Sequence, residues 1–283
     1  MAFNVSLHPV FCFIHGGGFQ FGTPKDYDYK TIIDNFVNKG IIFVSFQYRL
    51  GPYGFLTTED SVLPGNLGLW DQKIALDFIR HVIPSFGGDI NKITVGGESA
   101  GAVSVSALTI SPHTRDNFHQ AIQISGSIFG AYAIQNDTKH HNRRFFEAIR
   151  CDLKNSIEVK KCLKGKSVDD FYKAVKFVEK NVDDFYEAVK VVGSDFNELA
   201  SVPFHPRIDG DFFPSDIRSL IACSPVKPTI TGVNDKEMGG FILDGFNNSF
   251  IEVPKPEWNS FDQHDLKKSY PLLLKTFLSS TIF

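Results

Sequence analysis

The sequence has no excess of positive charge, no long apolar run and no clustered metal ligands. It sets 29 Lys and Arg against 32 Asp and Glu, a formal net charge of -3, which argues against a nucleic-acid partner. No stretch approaches the roughly 20 apolar residues of a membrane span. The apolar tail Pro271 to Phe283 is interrupted by Lys275 and is too short. Met1 to Pro9 lacks the basic region and apolar core of a signal peptide. Without clustered ligand spacing, neither a metal nor an organic cofactor is expected. Cysteine is scarce, and its four residues allow three full pairings. What remains is 283 residues, 42% hydrophobic and 22% charged, a composition that suits one large domain with a substantial core. Most of the 28 phenylalanines belong in that core.

The most informative stretch is Gly97-Glu98-Ser99-Ala100-Gly101. It fits the Gly-x-Ser-x-Gly nucleophile elbow, which requires a strand, a sharp turn and a helix. Lys92 to Val95 reads as the strand, and Ala102 to Thr109 as the helix. Upstream, the apolar strand Val10 to Ile14 runs into His15-Gly16-Gly17-Gly18-Phe19. A glycine run lets backbone N–H groups converge on one small anion, as the oxyanion of an acyl transfer demands.

The chain resembles the type-B carboxylesterases. Phe86 to Gly101 matches that family's serine signature, Asn66 to Leu76 the segment before it and Ala121 to Ser127 the strand after it. Pro203 to Pro214, with Arg207-Ile208-Asp209-Gly210-Asp211, is similar to the loop before the acid strand. The similarity is collinear over about residues 9–245. It implies an α/β-hydrolase fold: a mostly parallel sheet with helices on both faces, here incomplete at both edges. It also implies a carboxylic ester hydrolase working through an acyl-enzyme. Ser99 is then the nucleophile, and Gly17, Gly18 and the Ala100 N–H form the oxyanion hole. Glu237, after the strand Thr229 to Val233, is the acid. Glu98 and Ser125 support the site, and two roles are open to Glu98: stabilising an imidazolium or holding a structural water. The resemblance favours a Cys151–Cys162 disulfide over two free thiols; from their positions, Cys12 in mid-strand is expected to be buried and Cys223 after a helix to be free. It pairs Arg49 with Asp71 in a buried salt bridge. The implied partner is a small carboxylic ester, and the family is mostly secreted or lumenal.

The family's histidine lies well beyond the acid, in a glycine-flanked setting. Of nine histidines only His264 follows Glu237, and Gln263-His264-Asp265 lacks that setting. His15 is read as structural, and His140 and His141 as solvent-facing. Without a base, a serine hydroxyl is a poor nucleophile at neutral pH. The expectation is therefore a domain truncated at both ends: an incomplete gene product, a degenerate paralogue or a short form. A non-catalytic binding or adhesion module is the alternative, and loss of edge strands would favour aggregation.

Strands are expected at Phe11–His15, Ile41–Tyr48, Ile93–Gly96, Ala121–Ser125 and Thr229–Val233. Helices are expected near Tyr29–Lys39, Asp71–Val82, Ala100–Ile110, Asn142–Ile149 and Pro214–Ile221. The alternation implies a parallel sheet, with ligands beyond the carboxyl ends of its strands. The whole chain, 1–283, reads as one partial domain with a helical insert over 165–195 and a divergent tail over 246–283. In the insert, Val168 to Val178 nearly recurs as Val182 to Val192. Phe171, Val175 and Val178 share one helical face. This is either a duplicated surface helix or a new docking face. Sequons stand at Asn4, Asn136 and Asn247.

Overall fold

Five strands, all parallel, carry the fold: β1 (His8–Ile14), β2 (Ile42–Ser45), β3 (Gly88–Glu98), β4 (Gln120–Ile124) and β5 (Thr229–Gly232). The computed structural model describes residues 7–130, 132–134, 138–178 and 203–234. Those up to Val233 belong to one compact unit. The helices are α1 (Tyr29–Asn35), α2 (Gly51–Phe55), α3 (Leu67–Val82), α4 (Ala100–Ile110), α5 (Thr138–Ala148), α6 (Ser156–Lys164), α7 (168–178) and α8 (Ile217–Ala222). The sequence reading of the second repeat copy, the tail and all three sequons falls outside the described residues.

Several boundaries moved for local reasons. β3 pairs with β1 at Gly88 and again from Ile93, so residues 89–92 between them bulge out of register. Asp89 turns this bulge by accepting the Asn91 N–H. β2 stops at Ser45 because Gln47 and Tyr48 are engaged elsewhere: the Gln47 oxygen accepts the Tyr48 N–H, and the Tyr48 hydroxyl donates to the His15 carbonyl. α8 starts only at Ile217, because Asp216 caps it by accepting the Ser219 N–H. α6 was not expected, although Asn155 caps it through the Ile157 N–H.

The strand order is β2-β1-β3-β4-β5. From β1 the chain steps one way to β2 and the other way to β3, so the order reverses between β1 and β3. In open parallel sheets that reversal opens a crevice at the carboxyl ends of the two strands. Here those ends are Ile14 and Glu98, and they lead into the glycine bend and the elbow.

The residues of β1 alternate between two faces. Val10, Cys12 and Ile14 are buried together with Val95, Val103, Leu108, Leu76 and Ile79. Phe11 and Phe13 face the other way: Phe11 stacks on Phe36 at 5.3 Å and Phe13 meets Tyr27 at 4.8 Å. α4 is buried on all sides except Thr109, as expected for an apolar helix held within a core. Phe19, Phe55, Phe118, Phe145, Phe204, Phe212 and Phe213 are fully buried. Among the described residues, β2 and β5 form the sheet edges.

The first repeat copy is helical, and its stripe turns inward. Val178 is buried, Phe171 and Val175 pack on the core, and Phe171 stacks on Tyr53 at 4.7 Å. That stripe is therefore covered by the chain's own core. Cys151 and Cys162 form a disulfide with Cα atoms 5.8 Å apart, leaving Cys12 buried and Cys223 exposed. Arg49 and Asp71 do pair, twice at 2.7 Å. The expectation of a buried bridge is corrected, however: their side chains are 48% and 23% exposed.

Candidate active site

Ser99 links β3 to α4 with φ 54 and ψ -122. A non-glycine residue held at positive φ is strained, and surrounding contacts must enforce it. Its N–H donates to the Ile124 carbonyl of β4 at 2.8 Å, and its own carbonyl accepts the Val103 N–H at 3.0 Å. The turn is pressed against β1. A Cβ on Gly101 would lie 2.1 Å from the Ile14 carbonyl oxygen, so only glycine fits there. The Ser99 side chain emerges beside the glycine bend: a Cβ placed on Gly16 would lie 3.1 Å from the Ser99 Cβ.

The bend itself has a consistent hydrogen-bond pattern. The His15 ring donates from Nδ1 to the Gly16 carbonyl at 2.8 Å. The Gly17 carbonyl accepts the N–H groups of Gln20 and Phe21, at 3.0 and 3.1 Å. The Gly18 carbonyl accepts from the Gln20 side-chain amide at 3.0 Å. The Phe19 carbonyl accepts the Gly51 N–H at 2.7 Å. Every carbonyl from Gly16 to Phe19 is thus occupied. Among the described residues, nothing accepts from the N–H groups of Gly17, Gly18 or Ala100. Gly17 and Gly18 take positive φ, 103 and 59.

The residues expected to support the site fall where the crevice is. The Glu98 Oε2 would lie 2.6 Å from a Gly16 Cβ, so its carboxylate flanks the bend. Tyr27, which sequence reasoning missed, joins it. Burial, with the nearby Glu98 carboxylate, raises the Tyr27 pKa, and a hydrogen bond from the Gly16 backbone partly offsets this. Nothing in the local sequence marks Tyr27 for this place. Burial also raises the pKa of Tyr48, whose ring stacks on His15 at 4.7 Å. Both His15 nitrogens are engaged, Nδ1 with Gly16 and Nε2 with the Gln47 side-chain oxygen. His15 is therefore scaffold.

Ser125 ends β4 with φ 56, and its N–H donates to the Gly232 carbonyl at 2.8 Å. It joins the elbow's neighbour strand to the end of β5, the strand that leads towards Glu237. Glu237 and His264 lie outside the described residues. Among the described residues no side chain hydrogen-bonds the Ser99 hydroxyl, and no three His, Cys, Asp or Glu residues could together hold a metal ion. No described helix is long and apolar enough to cross a membrane.

A model of the carboxylesterase family matches residues 3–282. The chain is 36% identical over 255 residues to gut esterase 1 of Caenorhabditis elegans, an overlap of 87% of this chain and 42% of the relative. It is 34% identical over 266 residues to the bile salt-activated lipase of Bos taurus, covering 91% of this chain and 42% of that one. It is 34% identical over 240 residues to carboxylesterase 5A of Mus musculus, covering 83% and 37%. The chain spans about two fifths of the length of the curated relatives it matches.

Proposed function

From the premise that the chain belongs to the carboxylesterase family, we propose that it hydrolyses a small carboxylic ester through an acyl-enzyme on Ser99. The Ser99 oxygen attacks the acyl carbon. Charge gathers on the carbonyl oxygen, and the N–H groups of Gly17, Gly18 and Ala100 receive it. The ester C–O bond breaks and the alcohol leaves with the proton given up by the Ser99 hydroxyl; water then adds to the acyl carbon, the bond to the Ser99 oxygen breaks, and the acid departs as a proton from that water returns to Ser99. Glu237 is the triad acid, while Glu98 and Ser125 support the site. One observation carries this reading. Every carbonyl of the bend from Gly16 to Phe19 already accepts a hydrogen bond, while three amides beside the strained serine have no acceptor among the described residues. Preorganised donors of that kind act without reorganising as charge develops, and one of them is worth about 10²–10³ in rate.

A second reading, an ester-binding module without turnover, draws support from the Ser99 hydroxyl, which has no hydrogen-bonded base among the described residues. A fluorophosphonate probe tests the first reading. The folded protein should be labelled at Ser99, and Ser99→Ala should abolish labelling. Absence of labelling on folded wild-type protein would defeat the hydrolase reading. Binding of an ester analogue without labelling would favour the module.

A further inference from the structure

The segment 203–213 contains no helix or strand, yet Phe204, His205, Pro206, Phe212 and Phe213 within it are buried. It is held mainly through its backbone. The Asn66 side-chain amide pairs with Arg207, donating to its carbonyl at 2.8 Å and accepting its N–H at 3.0 Å. Ser111 donates to the Phe212 carbonyl at 2.7 Å. The strap then runs on into α8 and β5.

Its near end is fastened by a residue of the glycine bend. The Gln20 side-chain nitrogen donates to the Phe204 carbonyl, 184 positions away, and also to the Gly18 carbonyl at 3.0 Å. The two hydrogens of one planar amide satisfy two carbonyls, one in the bend and one in the strap. Rotation of the Gly18 peptide would break the first bond, and departure of the strap would break the second. Leucine offers neither donor and would leave both carbonyls without this partner.

We propose that Gln20 is a positioning residue that couples the strap to the glycine bend: by holding the Gly18 carbonyl it fixes the Gly18–Phe19 peptide, and so anchors the residue whose own N–H is an oxyanion donor. The coupling itself is a statement about structure; its catalytic consequence rests on the hydrolase reading above.

Hydrogen exchange followed by mass spectrometry on wild type, Gln20→Leu and Gln20→Lys separates the two. In Gln20→Leu, peptides covering 16–22 and 203–213 should both exchange about threefold to tenfold faster, the net worth of a hydrogen bond or two. Peptides from β3 should be unchanged. Gln20→Lys, which restores a donor of similar reach, should recover much of the protection in both segments. Faster exchange in only one segment, or in neither, overturns the coupling, as does equal loss in the leucine and lysine variants. On an activated ester, Gln20→Leu should lower kcat about tenfold with KM held, as expected for donors that act mainly in the transition state. A rise in KM at constant kcat would contradict the positioning role. If wild type is not labelled at Ser99, the hydrolase reading falls while the exchange data still decide whether Gln20 couples the two segments.

Discussion

Replacing Gly101 by alanine tests the geometry on which the site depends. The new methyl would lie 2.1 Å from the Ile14 carbonyl oxygen and 2.9 Å from that of His15. Ordinary contact begins near 3.4 Å, so α4 and the end of β1 must part by about 1.3 Å. Both obstacles are backbone, and neither can swing aside as a side chain would. Overpacking of this kind costs about 1–3 kcal/mol. In a domain of this size that lowers the melting temperature by about 3–10 °C. The displacement falls between Ser99 and the glycine bend, and a misplacement of about 1 Å can cost on the order of 10²-fold in reactivity. Gly232→Ala is the control, since nothing lies within 4 Å of its added methyl and its φ is not positive. Thermal denaturation by circular dichroism, run beside fluorophosphonate labelling, gives both readouts. If Gly101→Ala melts with wild type while Gly232→Ala does too, the close approach of α4 to β1 is wrong.

Three further outcomes follow from the described residues. Burial pushes the Cys12 thiol up to about 12, whereas Cys223 is exposed; iodoacetamide should therefore modify Cys223 in the native protein and reach Cys12 only after unfolding. Because Arg49 is half exposed, Arg49→Ala should cost about 1 kcal/mol or less by urea denaturation; Asp71→Ala should cost more, since its carboxylate also accepts the Arg49 N–H, and equal costs would refute that assignment. Hydrogen bonds from Ser156 and Thr58, then from the Val62 and Leu63 amides, lower the Asp60 pKa from 3.8 to about 2. Its stabilising effect is present above the unfolded value and lost as pH falls through about 2. The melting-temperature gap between wild type and Asp60→Asn should thus be full at pH 5 and close towards pH 2, and a gap that widens on acidification would contradict the sign.

How much of this was readable from the chain follows from the range of each signal. The five strands and α4 were legible because their apolar runs and glycines act within a few residues. The elbow was legible for the same reason: a strand, Gly97-Glu98-Ser99-Ala100-Gly101 and a helix are one contiguous pattern. The ends of β2 and β3 were not, because Gln47, Tyr48 and Asp89 leave the ladder to serve partners that periodicity does not reveal. The buried reading of Arg49 and Asp71 fixed the right pair in the wrong surroundings, since exposure depends on how neighbouring elements close over a site.

The least legible part is the set of bonds that orients the bend. Nothing in Phe19-Gln20-Phe21 announces that Gln20 reaches Phe204, or that Tyr27 meets Gly16 and Glu98. A glycine run supplies freedom, and freedom alone aims no amide. The direction comes from carbonyls taken one by one by His15, Gln20, Phe21 and Gly51. Since each peptide is planar, turning its carbonyl outwards turns the N–H of the following residue the other way. On the proposed reading the motif marks where an anion is received, while the hydrogen bonds that hold its carbonyls, from His15 and from residues beyond it, set where its amides point. Substituting Gln20, whose side chain acts from outside the motif, should impair Ser99 reactivity while leaving every motif residue in place.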